Sequence, residues 1–233
     1  MYTNKTEHIH EAFVHKWMHK DIENNMISIL GASFEVDKNS IFGTPNLEYI
    51  DAEIKWYESQ SRHVNDLFDL YGKEVKIWKE ICSTPGYINS NYGWTIYSWD
   101  NGDQYNNVLK KLCQEPRSRQ ASMIYQRPTM HKDWNHQGMM DFTCTNAVTY
   151  YITKGYQLDC VVQMRSNDVV FGYNNDVAWQ KHVWVKLRDD LNYIRDKIGM
   201  NKITLGKMHW QVQNLHMYNR HFKLIEEYID KNK

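Results

Sequence analysis

Apolar residues recur at helical spacing over residues 7–19, 47–61, 105–113 and 177–198, which predicts an amphipathic helix at each. Asn46 precedes the second stretch and can cap it through its side-chain oxygen. Residues 27–36, 121–126, 150–152, 158–164 and 207–213 read as strands. A hairpin at Lys154-Gly155 joins the third to the fourth, so Cys144 opens one strand, Arg165 closes the next, and the two become neighbours. Helices and strands mix without regular alternation. That argues for an α+β fold, a mixed or antiparallel sheet packed by helices, and against a doubly wound parallel sheet. The 4 Pro and 11 Gly fall singly at apparent turns, and no repeat or linker divides the chain, so residues 1–233 are expected to form one domain.

Charge narrows the function. Lys+Arg and Asp+Glu are both 28, a formal net charge of +0, so no global field draws the chain toward nucleic acid or anionic lipid, and its basic groups must act locally. The 9 Trp and 16 Tyr could stack on bases, but no basic stripe accompanies them, and core or interface packing accounts for them better. Nothing approaches the apolar length of a membrane span. Cys82, Cys113, Cys144 and Cys160 form no Cys-x-x-Cys pair and the first residues lack the apolar core of a signal peptide, so reduced thiols and a cytoplasmic location are expected. Among the 11 His, His131 and His136 flank a polar loop, and no cysteine pair lies at ligand spacing, so no metal is expected.

The most informative stretch is Asp141-Phe-Thr-Cys-Thr-Asn146, followed by Arg165-Ser-Asn-Asp168 and Gly172-Tyr-Asn-Asn-Asp176. A thiol, an anion-binding guanidinium and an acid able to read a base edge are what an attack on a pyrimidine nucleotide needs. A guanidinium beside Cys144 would lower its pKa and favour the nucleophilic thiolate. A buried cysteine beside a surface arginine is the alternative that the residues leave open.

At these residues the chain resembles the thymidylate synthase superfamily, most closely the phage branch that hydroxymethylates dCMP. The resemblance runs through Gly31-Ala-Ser-Phe34, Asp51-Ala-Glu-Ile-Lys-Trp56, Asn89-Ser-Asn-Tyr-Gly-Trp94, the block from Cys144 to Trp179, and Leu215-His-Met-Tyr-Asn-Arg-His-Phe222. It implies a homodimer paired through a mixed sheet, with 5,10-methylenetetrahydrofolate as one-carbon donor. Cys144 takes the nucleophile's place. Thymidylate synthases commonly have Pro-Cys-His there, whereas Thr143-Cys-Thr145 follows the hydroxymethylase branch. Glu53 takes the place of the family's glutamate, which organises water and moves protons; otherwise it is a solvated acid on its helix. Trp78, Asp168 and Gly172 match positions beside the folate, although a core tryptophan, a turn cap and relief of backbone strain are their plainer roles.

Phosphate binding is expected from Arg165 and Ser166, completed by Arg119 of the partner subunit. Arg119 lies in Ser118-Arg119-Gln120, where Gln120 replaces the family's second arginine and Arg117 is a candidate substitute. Surface ion pairing is the alternative for these arginines. No residue near 20–25 securely matches the family's N-terminal basic ligand. His216 and Tyr218 match the pair that holds the deoxyribose hydroxyl. Asp176 aligns with the asparagine that reads uracil, and an acid there fits cytosine; its plainer role is to cap a helix starting near Val177. The expected activity is formation of 5-hydroxymethyl-dCMP in the cytoplasm of a virus-infected bacterium, with a complex of nucleotide-synthesis enzymes as a possible setting. A dUMP-directed methylase or hydroxymethylase is the nearest alternative. A non-catalytic RNA-binding or scaffold protein is the more distant one.

Overall fold

The computed structural model describes residues 4–232. Its elements run α1 (Thr6–Met18), β1 (Met26–Glu35), α2 (Leu47–Glu58), α3 (Val64–Tyr71), α4 (Lys76–Ile81), α5 (Tyr92–Tyr97), α6 (Gln104–Gln114), β2 (Ser122–Ile124), α7 (Met130–Asp133), β3 (Thr145–Thr153), β4 (Gln157–Asp168), α8 (Gly172–Lys197), β5 (Thr204–Tyr218) and α9 (Lys223–Lys231). The strands form one mixed sheet in the order β1-β5-β4-β3-β2. Among these five strands β4 and β5 pair in parallel, and the other pairings are antiparallel. The α+β expectation therefore holds.

Alternation along the strands gives the sheet two unlike faces. Cys160, Val162 and Met164 of β4 and Met208, Trp210 and Val212 of β5 are buried. On the opposite face Val161 pairs in register with His209 and Gln163 with Gln211. These four residues stay partly or fully exposed. Helix α8 lies across the buried face, where the Trp184 indole donates to the Leu158 carbonyl at 2.8 Å. Helices α2 and α5 meet at Gly93, where a built Cβ would stand 1.7 Å from the Tyr57 carbonyl oxygen; only a glycine permits that approach.

The predicted cap is present: Asn46 Oδ1 accepts from the Tyr49 backbone N–H at 3.1 Å. The hairpin turns where expected, with Thr153 opposite Gln157. Other boundaries move. The predicted strand at 121–126 shrinks to β2, Ser122–Ile124, and β5 runs on to Tyr218. Sequence reading ends β5 at its run of polar residues, whereas pairing to both β1 and β4 carries it through Asn214 and His216. Helix α8 starts at Gly172 rather than Val177. Asn174, Asn175 and Asp176 are poor helix formers, so local propensity hides its first turn. The Asp168 carboxylate accepts from the backbone N–H groups of Val170 at 3.1 Å and Phe171 at 3.2 Å, and this turn aims the chain into the helix.

Candidate active site

Cys144 stands one residue ahead of β3, and the Arg165 backbone N–H donates to its carbonyl at 2.9 Å. The Arg165 side chain folds over the same loop. Its Nε donates to the Thr143 carbonyl at 2.9 Å, its Nη2 reaches the Phe142 carbonyl, and Nη2 lies 3.5 Å from the Cys144 Sγ. The loop is pinned from behind by Asp141, which accepts from the backbone N–H groups of Asn89 and Ser90, both at 2.7 Å, and from the Ser90 hydroxyl at 2.5 Å. Sequence proximity and hairpin geometry thus bring thiol and guanidinium together as expected.

Their electrostatics correct the simple expectation of a lowered thiol pKa. Burial pushes the Cys144 thiol up to about 11, outweighing the opposite pull of Arg165. The resting sulfur is a protonated thiol held beside a fixed cation. Arg165 forms no ion pair with any described residue, so its charge is not consumed by a carboxylate.

Glu53 is buried on α2, which rules out the solvated-acid alternative. The Tyr49 hydroxyl donates to Glu53 Oε1, and the Trp78 indole donates to that hydroxyl at 2.7 Å. Burial raises the Glu53 carboxyl to about 7, opposed by the bonds from Tyr49 and Trp78, so it exchanges a proton near neutrality. Trp78 stays partly exposed and meets Trp56 edge to face, with ring centroids 5.3 Å apart.

Asp176 lies within α8, four residues past its start at Gly172, which removes the helix-capping alternative. Its Oδ2 accepts from Asn167 Nδ2 at 2.7 Å. Burial first, then the Glu53 charge, raise its carboxyl well above the usual carboxylate range, while Asn167 and the Tyr92 hydroxyl oppose the rise. The shift favours the protonated form of a residue that is itself only partly exposed. Gly172 carries no backbone strain. What it provides is room, since a Cβ there would sit 3.2 Å from Asn167 Nδ2 and 3.8 Å from Asp176 Oδ2.

The remaining candidates follow from strand register. Ser166 pairs with Asn214 and Asp168 with His216, so the ends of β4 and β5 carry Ser166, Asp168, His216 and Tyr218 together. The His216 and Tyr218 rings meet edge to face at 5.0 Å. Asp168 does shape a turn, as its plainer role proposed. Arg119 is different. It is exposed, bonds to no described residue, and lines a cavity of about 780 Å³ with Lys111, Glu115, Arg117, Ser118 and Gln120, sharing no bond with the groups around Cys144. Among the described residues no group of three or more His, Cys, Asp or Glu could hold a metal, and no helix is long and apolar enough to cross a membrane.

Sequence reasoning overlooked three contributors. Tyr49 ties Glu53 to Trp78. Tyr92 is buried, and its hydroxyl bonds to Asp176. Asn167 holds Asp176. Tyr92 lies inside Asn89-Ser-Asn-Tyr-Gly-Trp94, a stretch already singled out, and its signal was a tyrosine between asparagine and an obligatory glycine.

Comparison with known proteins agrees with this geometry. The family described as thymidylate synthase matches residues 2–233. The deoxycytidylate 5-hydroxymethyltransferase of Enterobacteria phage T4 is 49% identical over 202 residues, covering 87% of this chain and 79% of that protein. The thymidylate synthase of Buchnera aphidicola subsp. Schizaphis graminum (strain Sg) is 24% identical over 189 residues, 76% of this chain and 62% of that one. Among solved structures, thermostable thymidylate synthase A from Bacillus subtilis superposes with a TM-score of 0.64 at 22% identity, over 88% of this chain and 71% of that chain, a likeness of fold.

Proposed function

The chain belongs to the thymidylate synthase family, and on that premise we propose that it converts dCMP, 5,10-methylenetetrahydrofolate and water into 5-hydroxymethyl-dCMP and tetrahydrofolate. The observation that carries this reading is Asp176, an acid held by Asn167 Nδ2 at 2.7 Å and pushed by burial toward its protonated form, where the family resemblance implies an amide for uracil. Cytosine presents an unprotonated ring nitrogen beside an amino group, and a protonated carboxyl donates to the first and accepts from the second.

Cys144 Sγ adds to carbon 6 of the ring, which makes carbon 5 nucleophilic. Arg165 Nη2, 3.5 Å from Sγ, stabilises the thiolate as it forms. With Ser166 it also holds the nucleotide phosphate, while His216 and Tyr218 hold the deoxyribose hydroxyl. The folate supplies the one-carbon unit. The partly exposed Trp78 face, Asp168 and the side-chain-free Gly172 suit the flat pterin ring. Glu53, titrating near neutrality, moves protons and organises the water that adds to the exocyclic methylene of the pyrimidine. The phage origin of the T4 relative supports an infected bacterial cytoplasm as the place of action.

Product analysis tests the reading. With dCMP, methylenetetrahydrofolate and ¹⁸O-labelled water, mass spectrometry should find a hydroxymethyl product carrying one labelled oxygen, together with tetrahydrofolate. A 5-methyl product with dihydrofolate would overturn it.

The site also needs a second subunit. The partly exposed face bearing Val161, Gln163, His209 and Gln211 suits pairing of two sheets, and Arg119, unpaired among the described residues, suits a phosphate held in the partner's site. Inactive Cys144→Ala and Arg119→Ala chains, mixed and allowed to exchange subunits, should regain up to about a quarter of wild-type activity by random pairing. Mixtures that stay inactive despite subunit exchange would exclude an arginine supplied in trans.

A further inference from the structure

Asp176 is held by one side chain whose own orientation is dictated from behind. The buried Trp210 indole donates to Asn167 Oδ1 at 3.3 Å, and Asn167 Nδ2 donates to Asp176 Oδ2 at 2.7 Å. An indole N–H can only donate, so the oxygen of the Asn167 amide must face Trp210 and its nitrogen must face Asp176. Asn167 and Trp210 are both fully enclosed, and Gly172 leaves the space in which the Asn167 amide meets Asp176.

We propose that Trp210 and Asn167 form a positioning relay for base selection: by fixing the Asn167 amide as a donor, Trp210 keeps Asp176 Oδ2 an acceptor and leaves the other oxygen to carry the proton. The relay rests on the reading of Asp176 as the base reader. A carboxylic acid has two equivalent ways to place its proton, and only one presents a donor to the cytosine ring nitrogen with an acceptor beside it for the amine. A reversed Asn167 would offer its oxygen to Asp176 and draw the proton onto Oδ2. The outer oxygen would then only accept, which suits the N–H of uracil. Tyr92, whose hydroxyl both donates and accepts, tolerates either arrangement. Asn167 does not, so the choice is made behind it.

The test compares kcat/KM for dCMP and dUMP in the full-length wild type, Trp210→Phe, Asp176→Asn and the double variant. Phenylalanine keeps an aromatic ring in the core and removes the N–H. Trp210→Phe should lower the dCMP:dUMP ratio about fivefold, the worth of one buried neutral hydrogen bond. Added to Asp176→Asn, it should raise dUMP turnover further, because Asn167 can then reverse to suit the new amide. Equal losses on both substrates would mark Trp210 as packing alone and overturn the relay. Should Trp210→Phe not fold, Asn167→Leu asks the same question, since leucine can neither donate nor accept. A ratio unmoved in Asp176→Asn would overturn the base-reading assignment and the relay with it. A ratio that moves in Asp176→Asn and not in the relay variants overturns the relay alone.

Discussion

Cys144→Ala should abolish exchange of the hydrogen on cytosine carbon 5, because without a covalent bond at carbon 6 the ring has no route to a nucleophilic carbon 5. The loss should reach the detection limit of tritium release from labelled dCMP. Binding of dCMP should largely survive, since Arg165 is held by the carbonyls of Phe142 and Thr143 and not by the sulfur alone. Retained exchange in the folded variant would mean that another group is the nucleophile. The wild type carries a companion expectation with a definite sign. Burial favours the uncharged thiol, so thiolate forms only as pH rises, and alkylation of Cys144 in the ligand-free enzyme should climb toward about pH 11. A plateau below neutral pH would show that Arg165 dominates after all.

How far the sequence revealed this site depends on which interactions carry each residue. The Cys144–Arg165 neighbourhood was legible because a hairpin is a local object: a turn at Lys154-Gly155 fixes which residues of two adjoining strands meet. The Asn46 cap was legible for the same reason. The protonation states were not. A guanidinium near a thiol suggests a lowered pKa, and only the burial that the fold imposes reverses the sign. Glu53 likewise reads as a surface acid on a polar helix face until Tyr49 and Trp78 close over it. Asn167 was invisible because its meaning comes from Trp210 and Asp176, which reach it from different elements. Arg119 marks the opposite limit. The resemblance implied its role, and among the described residues it has neither a partner nor a place in the site.

Asp176→Asn should shift the ratio of kcat/KM from dCMP toward dUMP by on the order of a hundredfold or more, since mispaired buried polar groups are costly. Uracil presents a ring N–H beside a carbonyl, which the oxygen and nitrogen of an amide match, whereas a protonated acid sets its own donor against that N–H. The substitution also removes the proton that the acid shares with the cytosine ring nitrogen, so turnover of dCMP falls as that of dUMP rises. Asn167 resists part of the gain, because an amide nitrogen turned toward it at residue 176 would face a donor. Reversing Asn167 leaves the buried Trp210 indole N–H without its acceptor, about 1–3 kcal/mol, comparable with the cost of mispairing at the base edge, so Asn167 limits the gain on dUMP while the loss on dCMP stands. The competing view is that Asp176 only ties α8 to β4 through Asn167. Asparagine keeps that tie, since its oxygen accepts from Asn167 Nδ2 as the carboxyl does, and the ratio would then hardly move. Both views expect a folded protein, because the shape is conserved and no buried charge is created. An unchanged dCMP/dUMP preference in a variant that melts like the wild type would therefore remove Asp176 as the base reader and leave it a structural tie between helix and sheet.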